Sequence, residues 1–166
     1  MHAPLARTDQ EAEIYIELAA CPRCGGYGFT GASEVIFLGD DLGTRWTGTC
    51  TRCGAAREFV FRLPPDVEVG AAAPYDFGAG VSELLDPGQW MTAADLASRQ
   101  APSPDLPLAI AAFEEVAKFI PDGADDVPAD AFRTDEGREA LRQWPGRFTR
   151  RWLAEAVASL RRQASG

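Results

Sequence analysis

All four cysteines of this 166-residue chain stand in two Cys-x-x-Cys pairs, Cys21 with Cys24 and Cys50 with Cys53, which are separated by 25 residues. Two intervening residues allow a tight turn to point both sulfurs of a pair at one ion. Four thiolates complete a tetrahedron around that ion and leave no position open for substrate or water. The spacing therefore predicts one metal ion, held for structure rather than for catalysis.

The segments around these pairs must hold the four sulfurs together, and their patterns predict an antiparallel β unit. Residues 11–18 alternate apolar and polar side chains, which indicates a half-buried strand that leads into the first pair. Residues 34–38 and 45–49 predict a hairpin between the pairs, because a turn-rich stretch separates them. Residues 57–63 predict a last strand, which two prolines end.

With two cysteine pairs joined by a predicted hairpin, the chain resembles the zinc-ribbon class from Tyr15 to about Leu63. The run Cys21-Pro22-Arg23-Cys24-Gly25-Gly26-Tyr27-Gly28 also resembles the Cys-x-x-Cys-x-Gly-x-Gly motif of the DnaJ co-chaperones. The chain has two such pairs rather than the four of that family, so chaperone activity does not carry over. A weaker resemblance to rubredoxin is given by Trp46, Cys50, Cys53, Gly54 and Phe59.

The cofactor that these patterns predict is one structural Zn²⁺, with the ligands Cys21, Cys24, Cys50 and Cys53. Iron in a rubredoxin-like site is the minor alternative. Two disulfides are a further alternative, which the lack of a secretion signal disfavours. A thioredoxin-like redox pair is another, but it needs a βαβ context that the pattern does not contain.

The rest of the chain predicts helices. Residues 64–81 are rich in proline and glycine and predict a linker or surface loop. About four helices follow: one capped by Asp86 with Gln89, one begun by Ser103-Pro104, one capped by Thr134, and one from about Phe148. The second carries the predicted buried stripe Leu106, Ile110, Phe113, Ala117 and Ile120. The fold class is therefore α+β, with an antiparallel β zinc ribbon over residues 1–63 and a small helical domain over residues 82–166.

The formal net charge is −9, and the acids are concentrated in the middle of the chain. Residues 66–135 contain 14 acidic and three basic residues, whereas residues 136–166 contain three acidic and seven basic. This balance disfavours direct binding of nucleic acid and favours a basic protein as the partner. The candidate partner-binding residues are acids expected to be exposed beside the predicted helices: Asp105, Glu114, Glu115, Asp122, Asp125 and Asp126.

Catalytic and membrane functions find little support in the sequence. The only histidine is His2, and there is no Gly-rich phosphate loop or nucleophile elbow, so we expect no enzymatic activity. No apolar run approaches the roughly 18 residues of a membrane span, and no signal sequence precedes the first pair. We expect a cytoplasmic protein with no membrane partner. Many alanines, glycines and arginines with a single lysine indicate a bacterial genome rich in GC.

These observations favour a non-enzymatic acidic zinc-ribbon protein that binds a basic partner protein. Immunity-type inhibitors of nuclease-like or deaminase-like toxins resemble it in charge and size. The first alternative is an accessory or regulatory factor of a nucleic-acid machine, contacting it through Arg23, Arg52, Arg57 and the arginines of the last helix. The second alternative is a rubredoxin-like electron-transfer protein.

Overall fold

The computed structural model describes residues 3–65, 74–100 and 102–166, and the chain divides into two compact units, residues 1–71 and 72–166. We call them unit 1 and unit 2. Part of the predicted linker, residues 66–73, lies outside the described residues. The class is α+β, with a three-stranded antiparallel sheet and one helix in unit 1 and four α-helices in the described part of unit 2.

The first helix of unit 1 is α1, Asp9–Leu18, where the sequence pattern predicts a strand. That prediction is wrong because the Thr8 hydroxyl caps a helix by accepting a hydrogen bond from the Glu11 amide. The buried Glu11 carboxylate in turn accepts hydrogen bonds from the amide and the guanidinium of Arg7. Within the helix, Ala12 and Ile16 lie one turn apart and are both buried. The apparent alternation therefore belongs to a helix.

The sheet has the order β1-β2-β3 and confirms the predicted hairpin and the last strand. Its strands are β1, Phe29–Leu38, β2, Asp41–Cys50, and β3, Ala56–Arg62. Leu38 pairs with Asp41, so the hairpin turn contains only two residues, and the first of them, Gly39, has a φ of +71°. At the opposite end of the hairpin, Phe29 pairs with Cys50. The open end of the hairpin therefore joins the two cysteine pairs, because β1 begins just after the first pair and β2 ends at the second.

One face of the sheet carries the core of unit 1. Tyr15 of α1 contacts Phe59 and Phe61 edge-on, with ring centroids 6.4 Å and 5.6 Å apart. Phe61 is buried. The opposite face carries a charged row across the three strands, formed by Glu34, Arg45 and Glu58. The sheet is thus apolar toward α1 and charged on the other side.

Unit 2 contains the four predicted helices. They are α2, Pro87–Ser98, α3, Leu106–Lys118, α4, Asp135–Gln143, and α5, Arg150–Ala164. The caps predicted at Asp86 and Thr134 are confirmed, whereas α3 is capped by Asp105 and begins after Ser103-Pro104. None of the helices in the described ranges is long and apolar enough to cross a bilayer.

The buried side of α3 differs from the predicted stripe. Helix α3 contacts both α2 and α5. Its buried residues are Ala109, Ala112, Phe113, Glu115 and Val116. Of the predicted stripe, Phe113 and Ile120 are buried, but Leu106, Ile110 and Ala117 are partly exposed. The predicted stripe was chosen mainly from the large apolar side chains and therefore omitted Ala109 and Ala112. These small side chains are buried because they let the neighbouring helices approach α3 on two sides.

The buried carboxylate of Asp86 joins two helices. It accepts hydrogen bonds from the amide of Gln89 in α2 and from the amides of Arg133 and Thr134 at the start of α4, at 2.8–3.0 Å. The Thr134 hydroxyl donates to it as well, at 2.7 Å. Gly137 makes this approach possible, because a Cβ there would lie 2.5 Å from Asp86 Oδ2. Asp86 therefore caps α2, as its sequence context predicts, and also links α2 to the start of α4.

Candidate metal centre

The first cysteine pair lies in a tight turn after α1. The Gly25 amide donates to the Cys21 carbonyl and the Cys21 amide donates to the Gly26 carbonyl, both at 2.8 Å. Gly25 has a φ of +66°, a conformation that residues with side chains rarely adopt. The Gly26 amide faces Cys24 Sγ at 3.4 Å. The glycines of this turn therefore allow amide groups to approach the sulfurs.

The second pair repeats the same turn after β2. The Gly54 amide donates to the Cys50 carbonyl and the Cys50 amide donates to the Ala55 carbonyl, both at 2.9 Å. Gly54 has a φ of +70°. A hydrogen bond from the Thr51 amide to the Gly28 carbonyl, 3.4 Å long, links this turn to the end of the first. Two equivalent turns thus face each other.

The two turns bring the four sulfurs together. The Sγ atoms of Cys21 and Cys53 lie 3.8 Å apart, those of Cys24 and Cys50 also lie 3.8 Å apart, and all four lie within 4.8 Å of one another. A tetrahedral ion with metal–sulfur bonds of about 2.3 Å holds its ligands roughly 3.8 Å apart. The four thiols are free, at distances well beyond the ~2.05 Å of a disulfide, so they can hold one metal ion.

Backbone amides lower the pKa of one cysteine in each pair. The amides of Arg23 and Cys24 face the sulfur of Cys21 and lower its pKa. The corresponding amides of the second pair, those of Cys53 and Arg52, lower the pKa of its first cysteine to about 6. Hydrogen bonds to the charged form of a group favour that form. The first sulfur of each pair is therefore prepared to be a thiolate, which is the form that binds a metal.

The pKa of the fourth cysteine, Cys53, reflects the repulsion among four sulfurs that have no cation between them. The Ala55 amide lowers the pKa of Cys53, but burial and the three neighbouring cysteine sulfurs outweigh this effect and raise it to about 11. Four thiolates this close repel one another, and a cation between them removes the repulsion. An all-thiolate set suits soft metals. Because the protein supplies all four ligands, the centre is closed to further ligands.

Three of the predicted partner-binding acids share one exposed loop. Asp122, Asp125 and Asp126 lie between α3 and α4, and all three are exposed. Arg150 crosses this loop, but its guanidinium donates to the main-chain carbonyls of Pro121 and Ala124 rather than to a carboxylate. The three carboxylates therefore remain accessible to a partner.

The other three acids are used within unit 2. Asp105 caps α3 by accepting a hydrogen bond from the Leu108 amide, and it also accepts one from the Tyr75 hydroxyl. Glu114 is exposed and forms an ion pair with Arg161 at 2.5 Å. Because Asp105 and Glu114 already have partners in the unit, their replacement changes the unit as well as its surface.

Glu115 requires a correction, because we expected it to be exposed. Only 3% of the residue is exposed. It pairs with Lys118, whose ammonium also donates to the Gly78 carbonyl at 2.9 Å. The side of α3 that faces its neighbours is wider than the predicted stripe, and Glu115 lies on it beside Val116. A partner in solution therefore has no access to this carboxylate.

Several arginines that the nucleic-acid alternative needs are engaged within their own unit. Arg57 is buried, donates to the Ala19 carbonyl at 3.0 Å and lies 4.8 Å above the Phe59 ring. In the last helix, Arg161 pairs with Glu114, Arg151 pairs with Glu155, and Arg150 donates to main-chain carbonyls. These contacts reduce the number of guanidinium groups that are available for phosphate.

A cleft in unit 1 was not predicted from the sequence. It has a volume of 280 Å³ and lies between α1 and the sheet, with Glu13 and Glu17 on one side and Phe29 and Trp46 on the other. A strand over residues 11–18 would place the two glutamates on a solvent face with nothing opposite them. The capping pattern of Thr8 followed three residues later by Glu11 was the signal that could have predicted the helix.

Fold and site define an α+β protein whose first unit carries a closed four-cysteine site able to hold one metal ion. Comparisons of the chain with protein-family models, with curated proteins and with solved structures find no match. The function must therefore be argued from the residues themselves.

Proposed function

We propose that the chain is a zinc-ribbon protein without enzymatic activity, in which one Zn²⁺ is structural and an acidic surface binds a basic partner protein. The closed set of four cysteines carries the structural part of this proposal, because two opposed sulfur pairs at 3.8 Å suit one tetrahedral ion. Zinc is preferred over iron because it has no redox chemistry, and the only task apparent for this ion is to join two turns.

The acidic loop supports the binding part of the proposal. Asp122, Asp125 and Asp126 are exposed and form no ion pair among the described residues. Carboxylates arranged in this way attract a basic protein and speed its association more than they raise the final affinity. A cytoplasmic inhibitor of a basic nuclease-like or deaminase-like toxin is one form of such a protein, by analogy of charge and size.

A kinetic experiment tests this proposal. The zinc-loaded chain is immobilised, the captured protein is identified by mass spectrometry, and its association rate is then measured at several salt concentrations. We expect a basic partner whose association slows as salt rises. Reversing the loop with Asp122→Lys, Asp125→Lys and Asp126→Lys should reduce the association rate by about tenfold or more and flatten its salt dependence.

The matched control reverses three exposed acids elsewhere in unit 2, Glu83, Glu136 and Glu155. Both triple variants change the net charge by the same amount, so they separate the position of the charge from its total. Equal effects of the two variants would mean that only the net charge matters. A captured partner that is acidic, or an association rate that does not depend on salt, would refute the proposed binding mode.

A further inference from the structure

In unit 1, helix α1 covers only part of the sheet face on which it packs. Trp46 of the central strand pairs with Ser33 of β1 on one side and with Phe59 of β3 on the other, so these three side chains share a face. Helix α1 contacts this face through Tyr15 at β3. Strand β1 is an edge strand, and most of its residues are exposed. The β1 side of the face is therefore uncovered.

The hairpin end of this uncovered face is apolar. Val35 and Phe37 alternate with Ser33 and therefore point to the same side as it does. They are 66% and 79% exposed, and Leu42, which pairs with Phe37 across the hairpin, is exposed as well. Several large apolar side chains exposed together mark an interaction surface more often than a single one does.

The other end of the face is the cleft beside α1. The rings of Phe29 and Trp46 and the backbone of Gly31 line it from the sheet, and Glu13 and Glu17 line it from the helix. The two glutamates are one helical turn apart, so their carboxylates lie on the same side of α1. A cavity with aromatic rings and two carboxylates suits a cationic side chain, which both kinds of group attract.

The two glutamates have no cation of their own. Neither forms a hydrogen bond or an ion pair in the described part of the chain. Burial raises the pKa of Glu13, with a smaller contribution from Asp9, and burial raises the pKa of Glu17, with a smaller contribution from Glu13. On the opposite face of the sheet, Arg45 already lies near both glutamates of the charged row. The charged row therefore contains a cation, whereas none of the described residues forms an ion pair with the two glutamates at the cleft.

We propose that this face binds an extended segment of a basic partner protein, with a lysine or arginine in the cleft at Glu13 and Glu17 and an apolar side chain on Val35 and Phe37. Gly31 and Phe37 are separated by six positions of one strand, so the two anchor points of the segment lie about 20 Å apart. The occupant is not a second copy of this acidic chain, because Asp40 and Asp41 flank the apolar end. The inference rests on the proposed function only in taking the partner to be basic.

A synthetic peptide tests this surface on the full zinc-loaded chain. The probe has about twelve residues, mostly serine and glycine, with an arginine and a leucine about six positions apart. Its titration is followed by the amide resonances of the labelled protein. We expect shifts in residues of α1, β1 and β2 around the cleft and the hairpin end. We expect Glu13→Gln with Glu17→Gln to weaken binding about tenfold, and Val35→Ser with Phe37→Ser to weaken it about as much.

The control variant carries Glu34→Gln with Glu58→Gln, which removes the same charge from the opposite face of the same sheet. It should leave the affinity within about twofold. A second peptide, with glutamate in place of arginine, should bind at least about tenfold more weakly. All three double variants must retain the far-ultraviolet circular dichroism and the metal content of the original chain.

Three results would overturn the inference: no shifts at millimolar peptide, shifts outside the uncovered face, or equal weakening by the control variant. These results differ from a failure of the proposed function. If the acidic loop of unit 2 proves irrelevant to the captured partner while the peptide still binds at the cleft, the loop assignment fails and the surface remains. If the peptide does not bind while the loop variants slow association, the inference about the uncovered face fails and the loop assignment stands.

Discussion

The two units of this chain bury apolar residues to different extents. Among the described residues of unit 1, the buried apolar ones apart from Cys21 and Cys50 are Ala6, Ala12, Ile14, Ile16 and Phe61. Unit 2 buries several large side chains, among them Trp90, Phe113, Phe132, Phe148 and Leu153. A small core contributes little stability and is commonly supplemented by a metal or disulfides. The comparison leads us to expect that unit 1 depends on a metal ion held by its four cysteines, whereas unit 2 depends on its core.

Cys50→Ser should have the largest effect, and it should be confined to unit 1. Binding of structural zinc by small peptides contributes about 10–16 kcal/mol, which is largely folding free energy. Loss of one ligand should therefore unfold most of residues 11–63 and leave the helices of unit 2 in place. Amide resonances and hydrogen exchange measure both units in one experiment. A strong chelator should give the same pattern with the original chain.

Elemental analysis provides the companion measurement. We expect about one zinc and little iron in each purified chain, and no visible absorption of the kind that iron–thiolate bonds produce. A chain that keeps the resonances of its sheet after complete removal of metal would contradict the comparison, because unit 1 would then be stable through its small core alone.

Trp90→Ala should produce the converse result in unit 2. Trp90 is fully buried and its ring lies 4.7 Å from that of Phe77. Replacing a buried tryptophan with alanine costs about 3–5 kcal/mol. Urea unfolding should show this loss for the transition of unit 2, while the zinc content stays at about one ion per chain. A variant that loses its zinc along with its helices would show that the two units do not fold independently.

The same contrast explains what could be predicted from the sequence. The cysteine turns were predictable because Cys-x-x-Cys is a local pattern that determines local geometry, and the glycine after each pair, Gly25 or Gly54, adopts the positive φ that closes the turn. The caps at Asp86 and Thr134 were predictable for the same reason. For helix α1 two local signals compete: Ile14, Ile16 and Leu18 alternate as in a strand, whereas Thr8 followed by Glu11 is a helix-capping pattern. The packing of Tyr15 on the sheet then favours the helix.

Burial inside unit 2 also depends on contacts that a single sequence does not reveal. Glu115 lies within the helix that touches two neighbours, and only the packing of α3 against α2 and α5 makes its side of the helix internal. The cleft at Glu13 and Glu17 likewise exists only because α1 lies on a sheet formed by residues later in the chain. Turns and helix caps, which depend on neighbouring residues, could therefore be predicted from the sequence. Burial and clefts formed by distant segments could not.

Asp86→Ala should have a smaller effect than Trp90→Ala, again in unit 2 only. The substitution leaves the amides of Gln89, Arg133 and Thr134 without their acceptor. Buried groups that lose a charged hydrogen-bond partner cost about 1–3 kcal/mol. Urea unfolding should show a loss of about 3 kcal/mol. Asp122→Ala, in the exposed loop, is the matched control and should change stability by less than about 0.5 kcal/mol.

Arg45→Ala should have the smallest effect. It measures how much the charged row contributes to the stability of unit 1. Arg45 lies 3.5 Å and 3.8 Å from the carboxylates of Glu34 and Glu58, and all three side chains are substantially exposed. Exposed ion pairs contribute about 0–1 kcal/mol and weaken in salt. We therefore expect a loss below about 1 kcal/mol in the unfolding of unit 1, which disappears in about 1 M salt. The buried pair of Arg7 and Glu11, with an N–O distance of 2.8 Å, offers the contrast. Glu11→Ala removes the hydrogen bonds that the Arg7 amide and guanidinium donate to this buried carboxylate and should cost about 3 kcal/mol or more. If Arg45→Ala proved as costly as Glu11→Ala, the charged row and not the metal with its small core would be holding the sheet together.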